Sequence, residues 1–160
     1  MKKTFAFIAA LATIAFAGAV SAAPLFNYVQ GNLGGNYGDD FGRNAGGAAW
    51  SVAAGRDTGT FRTEIEYQGA DVGHFGKLQA GNVNAYYQPT VKFLGLSPYV
   101  GAGLGYGQVV DRDSVLFNVQ AGVTYPVTDK LKAVIGYRFT DAAQNGGHVN
   151  SVTTGLRYTF

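Results

Sequence analysis

The residues of this 160-residue chain best suited to chemistry are two carboxylates spaced two apart, Glu64 and Glu66, with arginines at Arg62 and Arg138. Such a group can act as a general acid–base pair, or it can neutralise its own charges in a closed interior. His148 with Ser151 offers a base and a hydroxyl nucleophile, and His74 is the other histidine. Nucleophilic catalysis also needs a third group to orient the base. No carboxylate closely follows either histidine, and three positions along an extended strand put His148 and Ser151 on opposite faces. Asp39, Asp40, Asp111 and Asp113 could attract a divalent cation, but they read as solvated loop carboxylates and no metal is expected. The run Gly101-Ala102-Gly103-Leu104-Gly105-Tyr106-Gly107 repeats glycine every second residue. It matches neither G-x-G-x-x-G nor the P-loop spacing, so it reads as the glycine face of a strand and no cofactor is expected.

The elements that would position these residues follow a period of two. In the segment 61–68, Phe61, Thr63, Ile65 and Tyr67 fall on one face, and Arg62, Glu64, Glu66 and Gln68 on the other. Segment 131–140 sets Leu131, Ala133, Ile135, Tyr137 and Phe139 against Lys132, Val134, Gly136, Arg138 and Thr140. Segment 152–160 sets Val152, Thr154, Leu156, Tyr158 and Phe160 against Thr153, Gly155, Arg157 and Thr159. Five further segments, at 26–35, 48–56, 79–88, 98–107 and 115–125, bring the number of strands to eight. Short polar connections lie at 56–60 and 126–130, with Asp57-Thr58-Gly59 and Asp129 as turn chemistry. Longer Gly-rich ones are expected at 36–47, 69–78, 108–114 and 141–150. The connection 89–97 departs from this alternation, being longer and more apolar than a tight turn.

The first residues read as a leader. Lys2 and Lys3 precede an uncharged stretch from Phe5 to Val20, and Ser21, Ala22 and Ala23 are small enough for a signal peptidase pocket. A cut after Ala23 would leave Pro24 first, which hinders cleavage. The expected cut therefore follows Ala22, dividing the chain into a signal peptide, 1–22, and a barrel domain, 23–160. The apolar stretch is shorter than the roughly 20 residues that a helical span needs. The chain has 12 Lys plus Arg against 10 Asp plus Glu, so without Lys2 and Lys3 the two are equal. Its basicity belongs to the leader and points to no nucleic-acid partner. There is no Cys, which excludes a disulfide-stapled domain and thiolate metal sites.

Alternation alone fits a soluble barrel with its apolar face inward. Three features reverse it. The polar face carries Arg62, Glu64, Glu66, Lys132, Arg138 and Arg157, which can pair in the narrow lumen of an eight-stranded barrel. Aromatic residues gather at both ends of the apolar face: Trp50, Tyr67, Tyr106, Phe117, Tyr137 and Phe139 at one, and Phe61, Tyr87, Tyr125, Tyr158 and Phe160 at the other. This is the two-girdle pattern of a membrane barrel. Finally, only helices and closed barrels satisfy every backbone group in lipid.

Through Tyr28-Val29-Gln30-Gly31, the stretch from Pro98 to Gly105, and Gly155-Leu156-Arg157-Tyr158-Thr159-Phe160, the chain resembles the small outer-membrane barrels. These are the transmembrane domain of outer-membrane protein A, the opacity-type surface proteins and the broad porin-family group. The resemblance covers the chain beyond the leader but marks an architecture rather than an activity. It implies that Tyr158 and Phe160 carry the signal read by the outer-membrane assembly machinery.

The expectation is an all-β, eight-stranded antiparallel up-and-down transmembrane barrel in a Gram-negative outer membrane, exported through the periplasm. Both ends would lie in the periplasm and the longer loops outside. The expected role is non-enzymatic, structural or surface-interacting, with a side-chain-filled lumen. A narrow pore for small solutes is the alternative, with a lipid-modifying enzyme behind it. Expected partners are outer-membrane lipid and lipopolysaccharide, the secretion machinery and the assembly machinery, with the barrel a monomer.

Overall fold

The computed structural model describes residues 25–38, 45–71, 76–109, 112–143 and 148–160. The leader, its cleavage site at Ala22 and Ala23, and His74, Asp39, Asp40 and Asp111 lie outside these residues. Eight strands follow in chain order: β1 (Tyr28–Gly38), β2 (Ala45–Asp57), β3 (Phe61–Asp71), β4 (Lys77–Tyr87), β5 (Ser97–Val109), β6 (Arg112–Pro126), β7 (Leu131–Ala142) and β8 (His148–Thr159). Each pairs antiparallel with the next, and β8 pairs with β1 to close the wall. Closure leaves no unpaired edge, as a strand assembly in lipid requires. Among the described residues no helix is long and apolar enough to cross a membrane, which says nothing of crossing by strands.

The strands run 11–15 residues, longer than the 9–11 or so that suffice for a tilted membrane strand. The excess lies at the end where the longer connections were expected. There, pairing continues through Tyr37↔Gly46, Asp71↔Lys77, Val109↔Arg112 and Asp141↔His148. The expected loop 108–114 is therefore mostly ladder, and the other three are shorter than the sequence suggested. A backbone ladder needs no apolar side chains once it has left the hydrocarbon, so a fall in hydrophobicity there does not end a strand. At the opposite rim, Gly59 takes φ +93 in the β2–β3 turn and donates its N–H to the Asp57 Oδ1 at 2.8 Å, as a tight Asp-Gly turn requires.

The wall is inside out relative to a soluble protein. Leu33, Val52, Val83, Leu104, Val119, Ile135 and Leu156 are exposed, whereas Arg62, Glu64, Glu66 and Arg157 are no more than 3% exposed. A continuous apolar surface of this kind is not sustained in water. In a bilayer it is the contact surface, bordered by girdle pairs such as Phe61–Tyr87, with ring centroids 5.6 Å apart, and Trp50–Tyr67, 5.5 Å apart.

Glycines on one strand make room for side chains on the next. Tyr86, Asn84 and Asn82 of β4 pair with Gly101, Gly103 and Gly105 of β5 and lie over them. A Cβ at Gly103 would run into the Asn84 and Asn118 amides and the Val83 carbonyl. The last is backbone and cannot turn aside. Gly103→Val is therefore expected to lower stability by about 1–3 kcal/mol through overpacking, measured as a lower urea midpoint for the folded, heat-modifiable form. Gly31→Val serves as control, because nothing lies within 4 Å of a Cβ there; its midpoint should hardly move.

Candidate functional site

The lumen is layered from the short-turn mouth to the far rim. At the mouth, Asp57 receives Arg157 Nη1 at 3.5 Å and faces Lys132 Nζ at 3.8 Å. Arg157, fully buried, also donates Nε–H to the Gln30 Oε1 at 2.8 Å and stacks on the Tyr28 ring, 5.0 Å from its centroid. Lys132 remains partly exposed, so its pair with Asp57 is solvated and weak.

The next layer is an aromatic cage. The Arg62 guanidinium lies 3.7 Å from the Tyr86 centroid, 4.9 Å from that of Tyr99 and 5.9 Å from that of Tyr28. Glu64 sits beside it, with Oε2 at 4.0 Å from Arg62 Nε. The Tyr28 hydroxyl donates to the Glu64 Oε2 at 2.6 Å, and the Tyr86 hydroxyl donates to Oε1. The π faces take up the cation while two phenols hold the anion, and the buried Arg62 Nε and Nη1 find no hydrogen-bond acceptor among the described residues.

Above the cage a ring of hydrogen bonds crosses the lumen. Arg138 Nη2 donates to both oxygens of Glu66 at 2.6 Å and to the Gln120 Oε1 at 3.0 Å. Gln120 donates to Asn118 at 2.9 Å, Asn118 to Asn84 at 3.2 Å, and Asn84 back to Glu66 at 2.8 Å. Arg138 Nη1 also donates to the side-chain Oε1 of Gln68. The circuit joins β3, β4, β6 and β7, so each of its side chains is held from two directions and the lumen is bridged from wall to wall. Towards the far rim Ala49, Ala70, Leu78, Ala80, Leu116, Ala142 and Val149 form an apolar cluster inside the barrel, beside the buried polar Asn36, Ser114 and Thr140.

The six lumen residues singled out from sequence pair as Arg62 with Glu64, Arg138 with Glu66, and Arg157 and Lys132 with Asp57, and the Asn84 amide, donating to Glu64 at 3.3 Å and to Glu66 at 2.8 Å, links the first two pairs. The sequence marks Asp57 as turn chemistry only. The three lumen tyrosines and the apolar cluster were not singled out, although position parity marks them. Tyr28 is in phase with Gln30 and Asn32, Tyr86 with Asn84, Tyr99 with Gly101, and Leu116 with Asn118.

His148, the first residue of β8 rather than a loop residue, stacks on Phe139 with ring centroids 5.4 Å apart; Ser151 is buried. Among the described residues no three His, Asp or Glu side chains are placed to hold a metal ion. A groove of about 760 Å³ lies not in the lumen but on the apolar outer wall, among Ile65, Tyr67, Gly81, Val83, Leu104 and Tyr106. Tyr158 and Phe160 end the outward stripe of β8, and the Phe160 N–H donates to the Asn27 carbonyl at 3.1 Å across the seam.

Comparison with known proteins agrees with this architecture. A family model described as "Surface antigen" matches residues 77–154. No curated protein matches. Among solved structures, Neisserial surface protein A is similar at a TM-score of 0.70 and 21% identity, over 83% of this chain and 96% of that one. The N-terminal β-barrel domain of Pseudomonas aeruginosa OprF gives 0.55 and 17%, over 84% and 99%. The outer membrane enzyme PagL gives 0.58 and 13%, over 83% and 99%. At these identities the likeness concerns the fold.

Proposed function

We propose, starting from a chain that has the fold of the small outer-membrane β-barrels, that this protein is a non-conducting, non-enzymatic cylinder of the outer membrane that presents its long-connection rim to the surroundings. The observation that carries this reading is the closed circuit Glu66–Arg138–Gln120–Asn118–Asn84. It bridges the lumen between an ionic cage on one side and an apolar cluster on the other. Moving a solute through would mean breaking buried, charge-assisted hydrogen bonds and passing the apolar cluster. The three-residue offset of His148 and Ser151 along β8, which sends them to opposite faces, weighs against catalysis, and the surface-antigen family match supports a surface role.

In this reading the partners are outer-membrane lipid and lipopolysaccharide around the wall, and the secretion and assembly machineries during biogenesis. Tyr158 and Phe160 supply the assembly signal. The folded barrel is a monomer, since every strand edge is already paired within it.

Planar-bilayer recording of the pure folded protein tests the closed lumen. No stable unitary current is expected. A variant carrying Arg138→Ala with Leu116→Ala, which opens both the circuit and the apolar cluster, should conduct measurably if it remains folded by heat-dependent gel mobility. A large, steady current from the unaltered protein would refute the reading.

A further inference from the structure

The β4–β5 connection carries an apolar knuckle that nothing in the barrel uses. Val91, Phe93 and Leu94 are 69%, 71% and 83% exposed, and Lys92 stands among them. The knuckle is a hairpin closed by Phe93 N–H to Leu96 O at 3.0 Å and Leu96 N–H to Phe93 O at 2.9 Å. Its two central residues, Leu94 and Gly95, both have positive φ, at 52° and 81°. Such a turn favours Asn-Gly or Asp-Gly, because a side chain branched beyond Cβ gains nothing locally to offset the left-handed backbone. Leu94 is the one non-glycine residue with positive φ among those described. An unfavourable backbone conformation that displays a leucine to its surroundings makes sense only if the leucine is covered by something outside the chain.

The turn's direction indicates what covers it. A Cβ at Gly95 would lie 3.4 Å from the Tyr125 ring. Tyr125 is in phase with Val123, Ala121 and Val119 on the outer face of β6 and belongs to the girdle. The knuckle therefore leans over the lipid-facing side of the wall rather than across the lumen mouth. It continues the apolar belt at headgroup level, with a lysine placed to meet lipid phosphates. Aromatic and aliphatic side chains mixed with a cation are the composition of an interfacial anchor.

We infer that this hairpin is a membrane anchor that buries Phe93 and Leu94 in the interfacial zone of the short-turn leaflet, with Lys92 at the phosphates. The inference rests on the transmembrane reading of the barrel. Because the chain has no cysteine, single-cysteine variants can be labelled cleanly. Leu94→Cys, Phe93→Cys, Asp129→Cys on a polar turn of the same rim, and Leu104→Cys on the outer wall would each carry an environment-sensitive fluorophore. The labelled full-length barrels would be folded into vesicles of phosphatidylethanolamine and phosphatidylglycerol, some with lipids brominated near the headgroup and some at mid-chain.

Labels at 93 and 94 should emit to the blue of the label at 129 and be quenched at least about twofold more by the shallow bromolipid. The label at 104 should respond to the mid-chain bromolipid. If 104 responds but 93 and 94 report water like 129, the anchor is refuted while the barrel stands. The same conclusion follows if they become shielded only on addition of a periplasmic extract, the knuckle then being a protein-docking site. Failure at 104 as well would refute the membrane reading and the anchor with it.

Discussion

Replacing Arg138 by Met is expected to destabilise the folded barrel by about 3–5 kcal/mol, because it leaves the Glu66 carboxylate buried without its cation. Glu66 is 1% exposed and takes both Arg138 contacts at 2.6 Å. Its one other donor is the Asn84 amide at 2.8 Å, which cannot offset a full negative charge. The loss should appear as a lower urea midpoint for the heat-modifiable form in phospholipid vesicles, at neutral pH. Adding Glu66→Leu to Arg138→Met removes the orphaned charge and is expected to recover roughly half of the loss, the remainder reflecting unpaired Gln120 and Asn84. A single variant as stable as the parent would mean that the charges reach water, and the closed lumen would have to be abandoned.

The second large effect concerns the outer face. Val83, midway along β4 and 64% exposed, has the girdle residue Tyr87 towards one end of its strand and Gln79 towards the other. In a soluble protein so exposed a valine could become arginine at little cost. In this barrel Val83→Arg places a cation near the bilayer midplane, which costs about 2–4 kcal/mol. Measured by the same unfolding assay, the penalty should shrink when the barrel is held in a detergent micelle, where the head group reaches water more easily. A neutral result in vesicles would mean that this face does not meet lipid.

The fold was legible because its strands obey one rule. Phe61 to Gln68 alternate without a fault, and β7 and β8 repeat the pattern, so the strands and their two faces follow from parity, while the pairable charges on one face and the aromatic girdles on the other tell which looks outward. Strand ends were harder to read. Tyr37, Asp71, Lys77 and Val109 belong to the ladder although their surroundings turn polar, because hydrogen bonding between backbones is indifferent to side-chain polarity beyond the hydrocarbon.

The lumen was half legible. Charge on the inner face marked Arg62, Glu64, Glu66, Arg138 and Arg157. Tyr28, Tyr86 and Tyr99 were hidden because an aromatic residue in a membrane barrel suggests a girdle, and only its phase tells cage from girdle. Asp57 was masked by its second occupation as a turn former: it holds Gly59 N–H with one oxygen and faces Arg157 and Lys132 with the other. Which carboxylate serves which arginine depends on the shear of the closed wall, a quantity that no single strand encodes.

Where the wall closes, β1 lies beside β8, and Asn27 and Phe160 are hydrogen-bonded on the same rim. Until that final strand docks, β1 and β7 would each present a bare row of backbone donors and acceptors, an invitation to self-association. Once it has docked, the cylinder is a ring of hairpins in which no strand is first. A short peptide joining Phe160 to Asn27, with a fresh break at an exposed turn such as the one holding Asp129, would give a circular permutant of the barrel residues with the same inner circuit and the same lipid surface. Synthesis order, in this molecule, is a matter of delivery rather than of architecture.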